Sequence, residues 1–159
     1  MARKLTHIDA QGNAVMVDVG GKPATARTAT AKGSVYMRAA TLKRIMQGGV
    51  KKGDVLGVAQ LAGIMGAKRA PEMIPLCHPV ALTSVTVDLA CDPKRNAVDM
   101  TATCRVTGQT GVEMEALAAV AAAALTVYDM CKAIDRAMRL SDIRLVHKAG
   151  GKSGVFRGK

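Results

Sequence analysis

Four side chains in the stretch 111–140 have chemistry that a buried helix does not require. Glu113 and Glu115 stand at its start, and Asp129 and Lys132 stand three residues apart toward its end. A carboxylate and an ammonium held side by side can exchange protons with a substrate, the work of general acid–base catalysis. The plainer reading is an ordinary ion pair, because residues three apart on a helix face each other. Fourteen residues separate Glu115 from Asp129, which on a helix brings them to nearly the same face but about 21 Å apart along the axis. One small reacting centre cannot touch both on one helix. Either an extended ligand spans that length, or the Glu115 end of one chain meets the Asp129 end of another.

A second candidate group lies upstream, in Pro71-Glu-Met-Ile-Pro-Leu-Cys-His-Pro79. Three prolines fix backbone angles there and push the preceding residues toward extended conformations, so regular structure is not expected. His78 is thereby held rigidly, and an imidazole with an unperturbed pKa of about 6.5 can bind phosphate or give up a proton near neutrality. A lone histidine is more often structural. Cys77 beside it has no further ligands at metal-binding spacing. Lys51 and Lys52 lie between two helical segments, and Lys68 and Arg69 close the second, where the helix dipole and solvent already account for basic residues. The tail Lys148-Ala-Gly-Gly-Lys-Ser-Gly154 has the glycines that let backbone N–H groups approach an anion. It lacks the earlier glycine of a Walker loop, Val146 standing in that place, and has no helix after it.

The elements that must position these groups follow from periodicity. Residues 111–140 are rich in Ala, Leu, Met and Glu, with acids in the first turn and Arg136 and Arg139 at the far end, and they predict one long helix capped by Thr110 or Gly111. Leu117, Val120, Ala124, Val127, Cys131, Ile134 and Met138 form its core stripe. Seven alanines from Ala116 to Ala124 leave its middle thin enough for another backbone to approach. Residues 37–47 and a segment from Asp54 predict two further helices, the second capped by Asp54 and turning Val55, Val58, Leu61, Ala62 and Met65 to the core. Alternation predicts strands at 14–19, 25–31, 84–91, 98–106 and 143–147, the third and fourth joined in an antiparallel hairpin across Asp92-Pro-Lys-Arg-Asn96. From Thr25 the order is strand, two helices, strand, strand, helix, strand. That order predicts an α+β fold of ferredoxin-like type, an antiparallel sheet covered on one face by helices.

With 159 residues a single domain is expected, 1–13 forming a mobile arm and 148–159 a flexible basic tail. Nearly half the residues are apolar but only 2% are aromatic, so the core is aliphatic and the stacking platforms of single-strand nucleic-acid binders are lacking. A net charge of +11 calls for an anionic partner: nucleic acid, acidic lipid or a phosphorylated metabolite. The four cysteines form no Cys-x-x-Cys pair, which argues for free thiols and against zinc. The N-terminus lacks a signal-peptide hydrophobic region. A cytoplasmic protein without membrane attachment is expected.

Ile74-Pro-Leu-Cys-His-Pro79, Thr110-Gly-Val-Glu-Met-Glu-Ala116, Tyr128-Asp-Met-Cys-Lys-Ala133 and Gly150-Gly-Lys-Ser-Gly154 together closely resemble the cyclic pyranopterin monophosphate synthases, the molybdenum-cofactor biosynthesis protein C family. Leu5-Thr-His-Ile8, Met16-Val-Asp-Val19, Lys52-Gly-Asp-Val-Leu56 and Ala62-Gly-Ile-Met65 follow in the family's order, so the likeness covers nearly the whole chain. The resemblance implies a lyase that converts a cyclic dihydroguanosine triphosphate to cyclic pyranopterin monophosphate and diphosphate, with no cofactor or metal and no nucleic acid. It implies acid–base roles for Asp129 and Lys132, with Lys52 as a further proton donor or phosphate clamp. It implies substrate binding by Leu76, Cys77, His78, Met114 and Glu115, and hexamers built as trimers of dimers with sites at subunit interfaces. Glu113 joins the binding candidates, and Arg38, Lys68, Arg69, Lys148 and Lys152 follow from charge and position as phosphate contacts. The alternative is a basic module that binds nucleic acid or phosphate without catalysis; it explains the charge but not the motifs.

Overall fold

The computed structural model describes residues 5–48 and 54–159, so the expectation for Lys52 lies outside the described residues. In β1 (Thr25–Tyr36) Ala29, Ala31 and Val35 are buried, and in β3 (Ala97–Gly108) Val98, Met100, Ala102, Cys104 and Val106 are buried, with polar residues between them. This is the period of two that a sheet with one covered face imposes. β2 (Ser84–Asp92), β4 (Arg139–Ala149) and β5 (Phe156–Arg157) complete a sheet in the order β2-β3-β1-β4-β5, each neighbouring pair antiparallel. The α+β class and the antiparallel sheet are as expected, and the first four strands take the split β-α-β order.

The described helices are α1 (Ala39–Met46), α2 (Val55–Lys68), α3 (Ala70–Met73) and α4 (Glu113–Cys131). α4 lies across β1, β3 and β4, while α2 packs on α4 and β2. By length and composition α4 could cross a bilayer, yet half of it is buried inside the fold. Small residues set the closest approaches. A Cβ on Gly33 of β1 would come within 2.7 Å of Val120, and one on Gly66 of α2 within 2.6 Å of the Ala122 methyl and 2.9 Å of the Ala118 carbonyl. The backbone that the alanine-rich middle of α4 admits is thus α2 of the same chain.

The expected inward face of α2 is corrected for the same reason. Val55, Ala59, Gly63, Gly66 and Ala67 are buried, whereas Val58, Leu61 and Met65 are exposed. Close packing on alanines favours the small side of the helix, and the large apolar stripe turns outward. Asp54 does cap α2, accepting from the Leu56 N–H at 3.1 Å.

Other boundaries also move. Residues 14–19 form no strand: Ala14 makes an isolated bridge to Ile8, and both edges of β1 are already taken by β3 and β4. Ala70–Met73 forms a helical turn within the proline-rich segment, because Pro71 sits in the first turn, where no N–H partner is lost. α4 begins after Val112, with no side-chain cap, and ends at Cys131, nine residues before Leu140. Asp135 explains that early end. Its buried carboxylate accepts from the Arg38 N–H at 2.9 Å, the Thr41 hydroxyl at 3.0 Å and the Ala137 N–H at 3.2 Å. The bonds from Arg38 and Thr41 hold the segment against the start of α1, so the following chain leaves as β4 and Ile134 is exposed rather than in the core stripe.

Candidate active site

The first turn of α4 and the loop after α3 meet at a hollow of about 480 Å³ lined by Leu76, Cys77, His78, Glu113, Met114, Glu115 and Lys148. Three stretches distant in sequence converge here because α4 crosses the sheet beside β4. Glu115 is 1% exposed, and the Cys77 thiol donates to its Oε1 at 3.6 Å. Burial raises the Glu115 pKa, and the neighbouring Glu113 charge adds to the rise. Burial and the Glu115 charge push the Cys77 thiol up to about 11. The sulfur is therefore a protonated donor at neutral pH and not a nucleophile. Glu113 binds Lys148, Nζ to Oε1 at 2.8 Å. His78 donates from Nε2 to the Val17 carbonyl at 2.6 Å, tying the loop to the segment before β1.

Lys22, Arg27, His7, Thr110 and Ser153 line the same hollow and are not among the site residues expected from the sequence. Arg27 is the most constrained of them. Its Nε and Nη2 donate to the carbonyls of Gly108 at 2.9 Å and Gln109 at 3.0 Å. Gly150 and Gly151, at φ of 100° and 71°, bring the chain against Ala26 and the Arg27 guanidinium, where any Cβ would collide. One signal was available: Arg27 shares the inward parity of Ala29 and Ala31, an unusual place for a charge.

Arg38, Lys132 and Asp135 line a separate hollow of about 390 Å³ at the other end of α4. Lys132 Nζ lies 2.7 Å from Asp129 Oδ1, both side chains more than half exposed. That hydrogen bond raises the Lys132 pKa, opposite to the lowering that would make it a proton donor near neutrality. Arg38 is engaged by the Asp135 carboxylate and the Ile134 carbonyl. Burial alone would raise Asp135, but its hydrogen bonds from Arg38, Thr41 and Ala137 and the Arg38 charge hold it below the usual carboxylate range.

The remaining basic candidates are dispersed. Lys68 lines a third hollow with Ile64, Leu82 and Val85. Arg69 is exposed at the junction of α2 and α3. Lys152 is exposed in the turn after β4, and its neighbour Ser153 reaches the first hollow. The candidates thus divide between the two ends of α4, with Leu76–His78, Glu113–Glu115 and Lys148 at one and Asp129, Lys132 and Arg38 at the other.

Residues 16–151 match the model of the MoaC family. Over 152 residues the chain is 65% identical to a cyclic pyranopterin monophosphate synthase of Rhodospirillum rubrum, covering 96% of this chain and 92% of that one. It is 60% identical over 158 residues to the synthase of Parvibaculum lavamentivorans, covering 99% of each. With the synthase of Pelotomaculum thermopropionicum it shares 60% over 155 residues, 98% of this chain and 91% of that one.

Proposed function

Since the chain belongs to the MoaC family, we infer that the hollows at the two ends of α4 are the two halves of one active site. The chain is a cyclic pyranopterin monophosphate synthase of molybdenum-cofactor biosynthesis, a lyase that releases diphosphate from a pterin-type nucleotide. The substrate in this reading is a cyclic dihydroguanosine triphosphate. Its conversion opens one ring, builds another and closes a cyclic phosphate as diphosphate leaves, so it needs several proton transfers and a cationic grip on three phosphates.

One observation carries the assignment of the first half: a nearly water-free carboxylate, Glu115, shares a hollow with Lys22, Arg27 and Lys148. A buried acceptor suits the N–H edge of a guanine-derived ring, while the cations suit phosphate. Leu76–His78 and Met114 enclose the ring. In the second half Asp129 and Lys132 carry the acid–base steps as a coupled pair, with Lys52 supplying a further proton or charge. Arg38 joins them as a phosphate contact, and Lys68, Arg69 and Lys152 are peripheral ones.

The separation of about 21 Å between Glu115 and Asp129 favours halves contributed by two chains. The exposed stripe of Val58, Leu61 and Met65 on α2, with Leu125 exposed on α4, supports assembly as a homo-oligomer, a hexamer made as a trimer of dimers. A basic binding module would not need Glu115 buried beside its cations. The deciding assay mixes pure protein with the cyclic dihydroguanosine triphosphate and follows diphosphate, with nucleic acid titrated in parallel over a salt series. Diphosphate release in step with cyclic pyranopterin monophosphate is expected. Salt-sensitive nucleic-acid binding without release would favour the module.

A further inference from the structure

The family match ends at residue 151, yet the chain continues into β5, which pairs His147 with Arg157 and Lys148 with Phe156. Directly opposed residues of an antiparallel pair point to the same face, so the pairing of β4 with β1 gives the direction of each side chain. Leu140 opposes Val35, Leu145 opposes Ala31 and Lys148 opposes Ala29, all toward the helices. Leu145 and Lys148 are three apart, an odd step that a regular strand would send to opposite faces. The register shifts between Thr30 and Ala31, where Leu145 is followed by the extra residue Val146 before His147. This bulge turns Lys148 toward Glu113 and the hollow.

β5 fastens the bulge from its open side. The Gly158 N–H donates to the Val146 carbonyl at 2.8 Å, and the two β4–β5 pairs lie immediately beyond it. Without those bonds the extra residue has nothing on its outer edge, and a shift of one residue would restore regular alternation and reverse Lys148. We propose that the C-terminal strand Phe156–Arg157, with Gly158, is a positioning element of the active site, locking the Val146 bulge so that Lys148 faces the phosphate-binding half. The strand touches no substrate and acts through Lys148; the proposal rests on the placing of Lys148 in that site.

The test compares the full chain, a chain ending at Gly154, Lys148→Ala, and the two changes combined. Gly158→Ala serves as a milder variant, since its Cβ would meet the Leu145 carbonyl at 2.7 Å and loosen the strand without removing it. Two readouts are taken on folded protein: turnover with KM for the cyclic dihydroguanosine triphosphate, and acetylation of the Lys148 amine followed by mass spectrometry. Truncation is expected to speed Lys148 acetylation severalfold and to raise KM about tenfold, the scale of one charge-assisted hydrogen bond. Gly158→Ala should move both in the same direction by less. The combined variant should be no worse than Lys148→Ala, because changes acting through one group are not additive. Unchanged acetylation on truncation, or losses that multiply in full, would overturn the proposal. Faster acetylation together with a harmless Lys148→Ala would uphold the latch and refute the assignment of Lys148 to the phosphate site. If the truncated chain does not fold, Gly158→Ala decides by the same two readouts.

Discussion

Glu115 is the side chain whose environment most needs a ligand, because its side-chain partner in the fold is a thiol, a weak donor. Its pKa is raised in the folded state, and the sign of the linkage follows. As pH climbs past the ordinary glutamate value of 4.5, the unfolded chain ionises first, so stability is present at low pH and lost as pH rises through the higher folded value. Glu115→Gln removes that loss. The variant should gain stability relative to the parent between pH 4 and pH 7 in denaturant titrations while losing turnover; a stability difference independent of pH would contradict the burial argument. His78 differs in kind. Its hydrogen bond to Val17 holds a segment that lines the hollow, so His78→Ala should raise KM about tenfold while costing about 0.5–1.5 kcal/mol of stability, the net worth of one hydrogen bond. Circular dichroism and kinetics check this together, and an unfolded variant would make the histidine a structural residue.

α4 carries a candidate group at each end, and the properties of its ends can be tested separately. Asp129→Asn or Lys132→Ala should lower turnover about a hundredfold, the scale of a lost general acid or base, with the melting temperature nearly unchanged because the pair is exposed. Near-normal turnover would leave a surface ion pair. The existence of this helix was legible in its alanine and leucine content, and the β2–β3 hairpin in its alternation. The end of α4 was not, because the competitor for residues 132–138 is Asp135 bonding to α1, almost a hundred residues away in sequence. The orientation of α2 was hidden for a related reason. An apolar stripe predicts a buried face only when the partner surface is unknown, and here the partner is a run of alanines that admits Gly63 and Gly66 instead. Of the candidate site, the motifs holding residues 76–78, 113–115, 129 and 132 stand in the sequence, but that the first two meet in one hollow while 129 and 132 lie at the far end of α4 does not. Arg27 left one trace in the sequence, a charge on the inward parity of Ala29 and Ala31, and its pairing with buried Val106 shows that the charge does point inward.

At the scale of the whole molecule, the fold gathers most of the candidates into two separate groups. One chain presents Glu115, Lys148 and Arg27 at one end of α4 and Asp129 with Lys132 at the other, too far apart for one reacting centre. A two-fold pair of chains would make two equivalent composite sites. The most direct measurement takes Glu115→Ala and Asp129→Asn proteins, each inactive alone, unfolds them together, reassembles them at 1:1 and assays diphosphate release. With random pairing, half the dimers are mixed and each has one site free of both changes, so roughly a quarter of the parent activity should return. Mixed oligomers confirmed by mass spectrometry but showing no activity would contradict the composite site and place both groups within a single chain.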